Sequence, residues 1–598
     1  MGGCFSDVRG GKQAIGGGQE RPFEANLNPI NGVAGQNDAV QFFHRSRGLY
    51  PLFTQLELSF SASNLDDQDI TSKSDPMVVV FAKKRDGKLE ELGRTEVIFN
   101  SLNPVWINKV TIAYHFEMVQ PLVLYVYDVD TKYHNIPVQM LNLKDQDFLG
   151  EANCVLSEIV TKNSRSLTLN LQAKNARRGV RNLGTLTVHA EETFASRTAV
   201  EIVFRCSNLT NTDLFSKSDP FLRISRVVES GGSVPICKTE AIDNNFNPIW
   251  KPLCLSMQQF GSKVSLKVQK SVADLEKLYI EKIGSNFVFP SSHRGPDKVL
   301  KGQLYVDRFI EKEQFSFIDY ISSGFELNFM VAVDFTASNG DPRNRDSLHY
   351  IDPSGRLNSY QQAIMEVGEV IHFYDSDKRF PAWGFGGRTM NGGVSHCFNL
   401  NGSATSFEVE GVEGIMAAYA SALNNVSLAG PTLFGQVINN AAQIAGDSLS
   451  HHNNKYYVLL IITVKTVNFS FLFLENVSLP IVLTFLFQDG VLTDIQETKD
   501  ALVRASDLPF SILIVGVGAA DFTQMEILDA DNGLRLESST GRVATRDIVQ
   551  FVSMREVQSG QKSVAEALLE ELPAQFLTYM RSRDIKPGTF SSAPPQVS

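Results

Sequence analysis

The string SKSDP at Ser72 to Pro76 recurs at Ser216 to Pro220, and NPVW at Asn103 to Trp106 recurs as NPIW at Asn247 to Trp250, both at an offset of 144 residues. Asp69 and Asp213 share that offset. Two peptides kept in the same order and at the same distance imply two copies of one structural unit. Alternating runs such as LELSF (Leu56 to Phe60) and LVLYVY (Leu122 to Tyr127) flank the repeated loops. Period-two alternation is the pattern of half-buried strands, so each copy is expected to be an all-β domain.

The chemistry concentrates in the loops of the first copy. Asp69 and Asp75 bracket one loop, while Asp128 and Asp130 (in YDVD) and Asp147 (in DFLG) belong to another. A single aspartate in such a place is an ordinary turn former. Five carboxylates converging at one edge repel one another unless a hard cation with six to eight oxygen ligands joins them, and calcium suits flexible loop carboxylates better than magnesium. The second copy departs from this pattern. Matching KVQKSVADL (Lys267 to Leu275) to EANCVLSEI (Glu151 to Ile159) shortens the offset from 144 to 116, so about 28 residues of strand and loop are missing. Only Asp213 and Asp219 remain of the set, and a two-carboxylate remnant should bind calcium weakly.

At 598 residues the chain exceeds the size of a single core, and two to four domains are expected. Its net charge of -11 argues against a nucleic-acid partner. An acidic chain still meets an anionic membrane where a cation neutralises its local carboxylates. The six cysteines form no C-x-x-C pair, which fits a reducing compartment. The chain begins MGGCFS, which lacks the features of a secretory signal but fits the acylation pattern, with Gly2 as myristate acceptor and Cys4 as palmitate candidate. Two acyl chains matter because one gives only marginal, reversible attachment, with an association constant of ~10⁴ M⁻¹. Residues 10 to 45, rich in Gly, Gln and Asn, have the composition of a tether.

Beyond residue 320 the pattern becomes α/β. FMVAV (Phe329 to Val333) and SILIVGVG (Ser511 to Gly518) are continuous apolar runs of the kind buried parallel strands use. Helical patterns such as YQQAIMEV from Tyr360 and TKDALVR from Thr498 intervene, which suggests a doubly wound sheet. Ligands of such sheets bind at the carboxyl ends of the strands, where the DxTxS of Asp334, Thr336 and Ser338 falls. One carboxylate and two hydroxyls supply hard oxygens while leaving coordination positions open. The greasy stretch from Tyr456 to Phe487 raises the possibility of a membrane span. A spanning helix needs roughly 20 mostly apolar residues, and Lys465, Asn468, Glu475, Asn476 and Pro480 interrupt every such window.

The repeated loops resemble those of C2 domains, in which calcium bridges loop carboxylates to lipid phosphate. That resemblance implies lipid contact through Ile70, Tyr133 and Ile136 at one tip and Leu214 and Phe215 at the other, with Lys83, Lys84 and Arg85 attracting anionic lipid. DFTASNG, together with YDSDKRFPAWGFG (Tyr374 to Gly386), GPT (Gly430 to Thr432), DGVLTD (Asp489 to Asp494) and LDAD (Leu528 to Asp531), resembles the von Willebrand A-type domain of copines, and the MGxC start is similar to that of plant BONZAI-type copines. The resemblance implies a tether over 1–49, a first C2 domain over 50–178, a second over 185–315, an A-type domain over 322–585 and a disordered tail over 586–598. It carries a magnesium or manganese site onto Asp334, Thr336, Ser338, Thr432 and Asp489. In the family pattern IIT runs directly into DGV, so Val464 to Gln488 is expected to be an insertion with the marks of an unspliced intron. The implied activity is that of a calcium-responsive, lipid-anchored adaptor at the cytoplasmic face of the plasma membrane, holding a protein partner through its A domain. The implied physiology is restraint of plant defence and cell death with support of growth. An enzyme is a second possibility, yet no catalytic motif is present to name a nucleophile or base. An integral membrane protein spanning 456–487 is a third.

Overall fold

The computed structural model describes residues 54–67, 73–173, 183–193, 198–210, 218–227, 233–256, 264–265, 269–289, 298–390, 392–450, 454–464, 494–518, 522–529, 535–559 and 562–588. Gly2, Cys4, Asp69, Ile70, Asp213, Leu214, Phe215, Asp489 and the stretch 465–488 lie outside them.

The first copy is a sandwich of β1 (Thr54–Ser63), β2 (Pro76–Lys83), β3 (Leu89–Arg94), β4 (Val110–Tyr114), β5 (Pro121–Asp128), β6 (Asp147–Val155), β7 (Ser166–Asn170) and β8 (Thr185–Glu192). One sheet has the order β4-β1-β8-β7 and the other β3-β2-β5-β6. In β1 the alternation places Leu56, Leu58, Phe60 and Ala62 in the core, as a strand with one buried face requires. A short helix, α1 (Leu156–Val160), follows β6.

The second copy is built from β9 (Thr198–Ser207), β10 (Arg223–Val227), β11 (Ser233–Lys238), β12 (Leu253–Ser256), β13 (Val264–Ser265), β14 (Gln269–Lys270), helix α2 (Val272–Glu281), β15 (Ser285–Phe289) and β16 (Lys298–Glu313). Its sheets run β12-β9-β16-β15 and β11-β10-β13-β14, the same order position for position. The repeat extends to single hydrogen bonds. Thr95 Oγ1 accepts from Val78 N at 2.9 Å, and Thr239 Oγ1 from Leu222 N at 2.8 Å. Asn103 Oδ1 accepts from Asn64 N and Asn247 Oδ1 from Asn208 N, both at 2.9 Å. The indoles of Trp106 and Trp250 donate to the carbonyls of Pro76 and Pro220. SKSDP and NPxW are thus the two ends of one cross-loop brace.

The copies part where the offset changes. In the first, Val123 pairs with Asn153, 30 positions on; the equivalent Ser265 pairs with Gln269, 4 positions on. The eight residues of β5 that run up to Asp128 are represented by two in β13, which pairs with β10 only through Ser225 and Arg226. No counterpart of the Asp128 to Asp147 end stands among the described residues of the second sandwich.

The A domain opens with α3 (Phe317–Ser322), capped by Ser316 with Asp319 at the third helical position. Its main sheet contains β17 (Glu326–Asp334), β18 (Arg379–Phe385), β19 (Lys455–Val464), β20 (Phe510–Val517) and β21 (Val549–Ser553), all parallel, with the short strand Phe398–Asn399 antiparallel on the edge. The parallel strands lie in the order β18-β17-β19-β20-β21. The order reverses between β17 and β19, and the crevice at the carboxyl ends of such a pair is where α/β sheets take ligands. Nine residues of β19, from Tyr456 to Val464, are buried in the middle of this sheet, so the first part of the greasy run is a core strand. Among the described residues no helix is long and apolar enough to cross a membrane.

The described residues gather into two compact units, 194–315 in one and 53–193 with 316–529 and 536–598 in the other. Within the larger unit the first sandwich is joined to the A domain by buried side chains. The hydroxyl of Tyr114 bonds that of Tyr374, which reaches on to Ser157 Oγ at 3.3 Å. Phe116 meets Phe317 edge-on at 5.0 Å between ring centroids. Arg165 donates to Asp319 at 2.6 Å and to Ser322 Oγ at 3.0 Å. Truncating Arg165 to Ala leaves Asp319 buried without its cation. We expect unfolding in urea to show a loss of about 2 kcal/mol, and an unchanged midpoint would mean the joint does not depend on this pair.

Candidate metal and lipid sites

The first sandwich brings Asp75, Asp128 and Asp147 to one end. Pro76 is the register partner of Asp128, and Asp128 that of Asp147. Asp75 donates its backbone N–H to Asp128 Oδ1 at 2.5 Å, and both carboxylates are about nine-tenths buried or more. Asn100, in the left-handed region at φ 52, turns its N–H onto Asp75 Oδ1 at 2.7 Å. The remaining oxygen, Oδ2, lies 3.0 Å from His134 Nε2. Asp130 is half-exposed and pairs with Lys132 at 2.9 Å. The donor chemistry fits a hard cation: the carboxylates come from two adjacent strand ends, and the side chains that meet Asp75 Oδ2 and Asp130, His134 and Lys132, belong to one loop. Among the described residues no group of three or more His, Cys, Asp or Glu stands ready to hold a metal. Loop closure around the ion would have to complete the set.

Of the residues expected to contact lipid, Ile136 is exposed at this end, together with Phe99 and Met140. Tyr133 is half-buried against the small core of Met77, Val79, Tyr127, Val129 and Leu141. Lys83, Lys84 and Arg85 lie at the other end of β2, about 25 Å from Asp75 at a strand's rise per residue. Lys84 pairs with Glu90 at 3.2 Å, and Arg85 pairs with Glu566 of the A domain at 2.8 Å. The structure does not bring this basic turn to the carboxylate end. In the second sandwich Asp219 keeps the equivalent bond, accepting from Asn244 N at 2.7 Å.

The A-domain site stands at the reversal of strand order. Asp334, fully buried, ends β17. Its Oδ1 accepts from Thr336 N at 2.8 Å, and its Oδ2 from Thr463 Oγ1 at 2.7 Å and Val464 N at 3.3 Å. Thr336 and Ser338 hydroxyls are 2.7 Å apart. The strip before Thr432 is docked alongside, since Ala337 donates to Ala429 O at 2.7 Å and Thr432 is buried. Gly386, at φ 74, lets the chain pass: a Cβ there would meet Thr336 Cγ2 at 2.5 Å. Burial pushes the Asp334 carboxyl above its ordinary range, while hydrogen bonds from Thr336 and Thr463 work the other way. A carboxylate with two hydroxyls fits magnesium or manganese.

Sequence reasoning missed several residues here. His349 donates from Nε2 to Asp334 O at 2.9 Å and accepts from Tyr419 at Nδ1 at 2.8 Å. Burial pushes its pKa down to about 3, so it is a neutral brace behind the loop. Thr463 closes the carboxylate from the neighbouring strand. No local signal marks His349, which lies 15 positions from Asp334; Thr463 was legible only as the last residue before the interrupted stretch.

Comparison with known proteins agrees with this layout. The Copine family model matches residues 347–588, and the C2 domain model matches 57–171 and 198–278. The chain is 57% identical to Protein BONZAI 1 of Arabidopsis thaliana over 98% of its own length and 100% of that protein's, and 56% identical to Protein BONZAI 2 of the same plant over 98% and 99%. A solved structure titled BON1-C2B is 49% identical over 19% of this chain and 92% of that one, with a TM-score of 0.18.

Proposed function

Because the chain belongs to the copine family, we propose that it is a calcium-dependent phospholipid-binding adaptor, held at the cytoplasmic face of the plasma membrane by two acyl chains and presenting its A domain to a protein partner. The observation that carries this is the pair of buried carboxylates, Asp75 and Asp128, at the end of the first sandwich where Ile136 is exposed. Calcium at these carboxylates would supply the positive charge that attracts lipid phosphate. Asp75, Asp128, Asp130 and Asp147, with Asp69, would hold it; the Asn100 amide fixes Asp75 through Oδ1 and leaves Oδ2 facing His134; Ile136, with Ile70, would enter the headgroup layer. In the A domain Asp334, Thr336, Ser338 and Thr432, joined by Asp489 where residues 464–488 are absent, would hold magnesium or manganese and leave a position for an acidic side chain of the partner. Asp213, Asp219, Leu214 and Phe215 form a weaker calcium and lipid contact on the second sandwich. The physiological role we propose for it is restraint of plant defence and cell death with support of growth. Sedimentation of the full chain with phosphatidylserine vesicles tests the core of this: binding that appears with calcium and reverses with chelator supports it, and equal binding in both conditions refutes it.

Anchoring is tested separately. Gly2→Ala prevents myristoylation, and most of the protein should then fractionate as soluble in low calcium. Cys4→Ser should leave weaker, faster-exchanging attachment. Full retention of the Gly2→Ala protein at the plasma membrane would exclude the acyl anchor.

A further inference from the structure

Resting on the calcium reading above, we propose that His134 and Lys132 form an internal latch over the first sandwich's carboxylates, so that calcium enters by displacing these two side chains. Asp75 has two oxygens, and the Asn100 amide takes Oδ1 at 2.7 Å. Oδ2 is the oxygen left for a cation, and His134 Nε2 covers it at 3.0 Å. The same nitrogen lies 3.1 Å from the carbonyl of Val129. Both neighbours are acceptors, so Nε2 carries the proton and donates. Two residues back on the same turn, Lys132 Nζ takes Asp130 Oδ2 at 2.9 Å.

An imidazole N–H that donates to a carboxylate cannot also be a metal ligand, and calcium prefers oxygen to nitrogen donors in any case. His134 Nε2 therefore offers the ion no lone pair and takes one of the two lone-pair directions of Oδ2, so the ion and the ring compete for this oxygen. Its ring rests on Phe99 at 4.4 Å between centroids, beside the Asn100 amide that fixes the other oxygen. Release of the ring frees the turn from 131 to 136, which ends in the exposed Ile136. Cation entry and repositioning of the apolar tip are then one event. The second sandwich provides the contrast. Asp219 keeps its fixing amide from Asn244, yet the chain passes from Ser265 to Gln269 in 4 positions and has no segment equivalent to the latch turn.

The test is calorimetric titration of calcium into the full chain without lipid. His134→Ala is expected to bind about tenfold more tightly than wild type, the equivalent of about 1.4 kcal/mol. Lys132→Ala should tighten binding by about two- to threefold, because its pair with Asp130 is exposed to solvent. Phe99→Ala removes the ring's support but no polar contact, and should also tighten binding, by less than His134→Ala. A merely structural role for His134 predicts the opposite sign, since a loosened loop binds calcium less well. Unchanged or weaker affinity in His134→Ala, with wild type binding normally, overturns the latch and leaves the calcium reading intact. Calcium uptake by neither protein overturns the calcium reading and the latch with it.

Discussion

Replacing Asp75 and Asp128 together by asparagine should abolish calcium-dependent sedimentation of the full chain with phosphatidylserine vesicles at calcium levels that saturate wild type. Asparagine keeps the shape and the oxygen that accepts from Asn100 and from Asp75 N, so the sandwich should stay folded. What is lost is two negative charges from a site whose affinity is set by its carboxylate count, and the calcium requirement should rise on the order of a hundredfold. Asp219→Asn should cost little, because the strand end that would complete its site has no counterpart among the described residues of the second sandwich. Equal losses from the two changes would contradict an asymmetric pair of sandwiches.

Deleting Val464 to Gln488 should raise the A domain's affinity for magnesium or manganese. Val464 is buried, closes β19 opposite Val517, and directs its N–H to Asp334 Oδ2. Joining Thr463 to Asp489 places an aspartate at that position, beside Asp334 and across from Thr336 and Ser338. A valine there supplies no ligand to the crevice; an aspartate supplies the second carboxylate. The deleted form should bind magnesium or manganese and gain about 2.7 kcal/mol at a metal concentration a hundred times Kd, a Tm rise of roughly 5–10 °C. Its soluble yield should also increase, since an apolar stretch of that length is an aggregation hazard if exposed. Asp334→Ala in the deleted form should remove the metal response. Tight binding by the undeleted form, lost in Asp334→Ala, would show that the site tolerates the extra residues. Clones of the transcript that carry codons 464 to 488 would exclude the unspliced-intron account.

The duplicated sandwich was legible because its signals are local and doubled. SKSDP and NPxW are the termini of hydrogen bonds that recur at the same offset, and the change from 144 to 116 is visible again in the pairing of Ser265 with Gln269. Asp334, Thr336 and Ser338 were legible because a strand pattern runs straight into them. The joint was not. Tyr114 and Tyr374 look like any core aromatics, and the partner of Arg85 is Glu566, 481 positions away, so no window of sequence contains the pair. The basic turn therefore resembled a lipid-facing patch. His134 was overlooked for a related reason: a lone histidine has no period, and only the fold shows which oxygen it covers.

The joint also bears on how the chain is put together. The larger unit takes 53–193 on one side of the second sandwich and 316–529 with 536–598 on the other, and Ser316 Oγ donates to Glu192 at 2.7 Å, so the two cut points almost touch. The second sandwich is in effect a guest threaded into a host whose entry and exit are side by side, the arrangement in which inserted domains are tolerated best. Two consequences follow during synthesis. The first sandwich leaves the ribosome with Tyr114, Phe116 and Arg165 uncovered and must wait for Phe317, Asp319 and Tyr374 to be made, while the guest can fold in the interval. A lesion in the guest should likewise stay confined to it, so a sandwich shortened between Ser265 and Gln269 need not disturb the joint around Tyr114 and Tyr374.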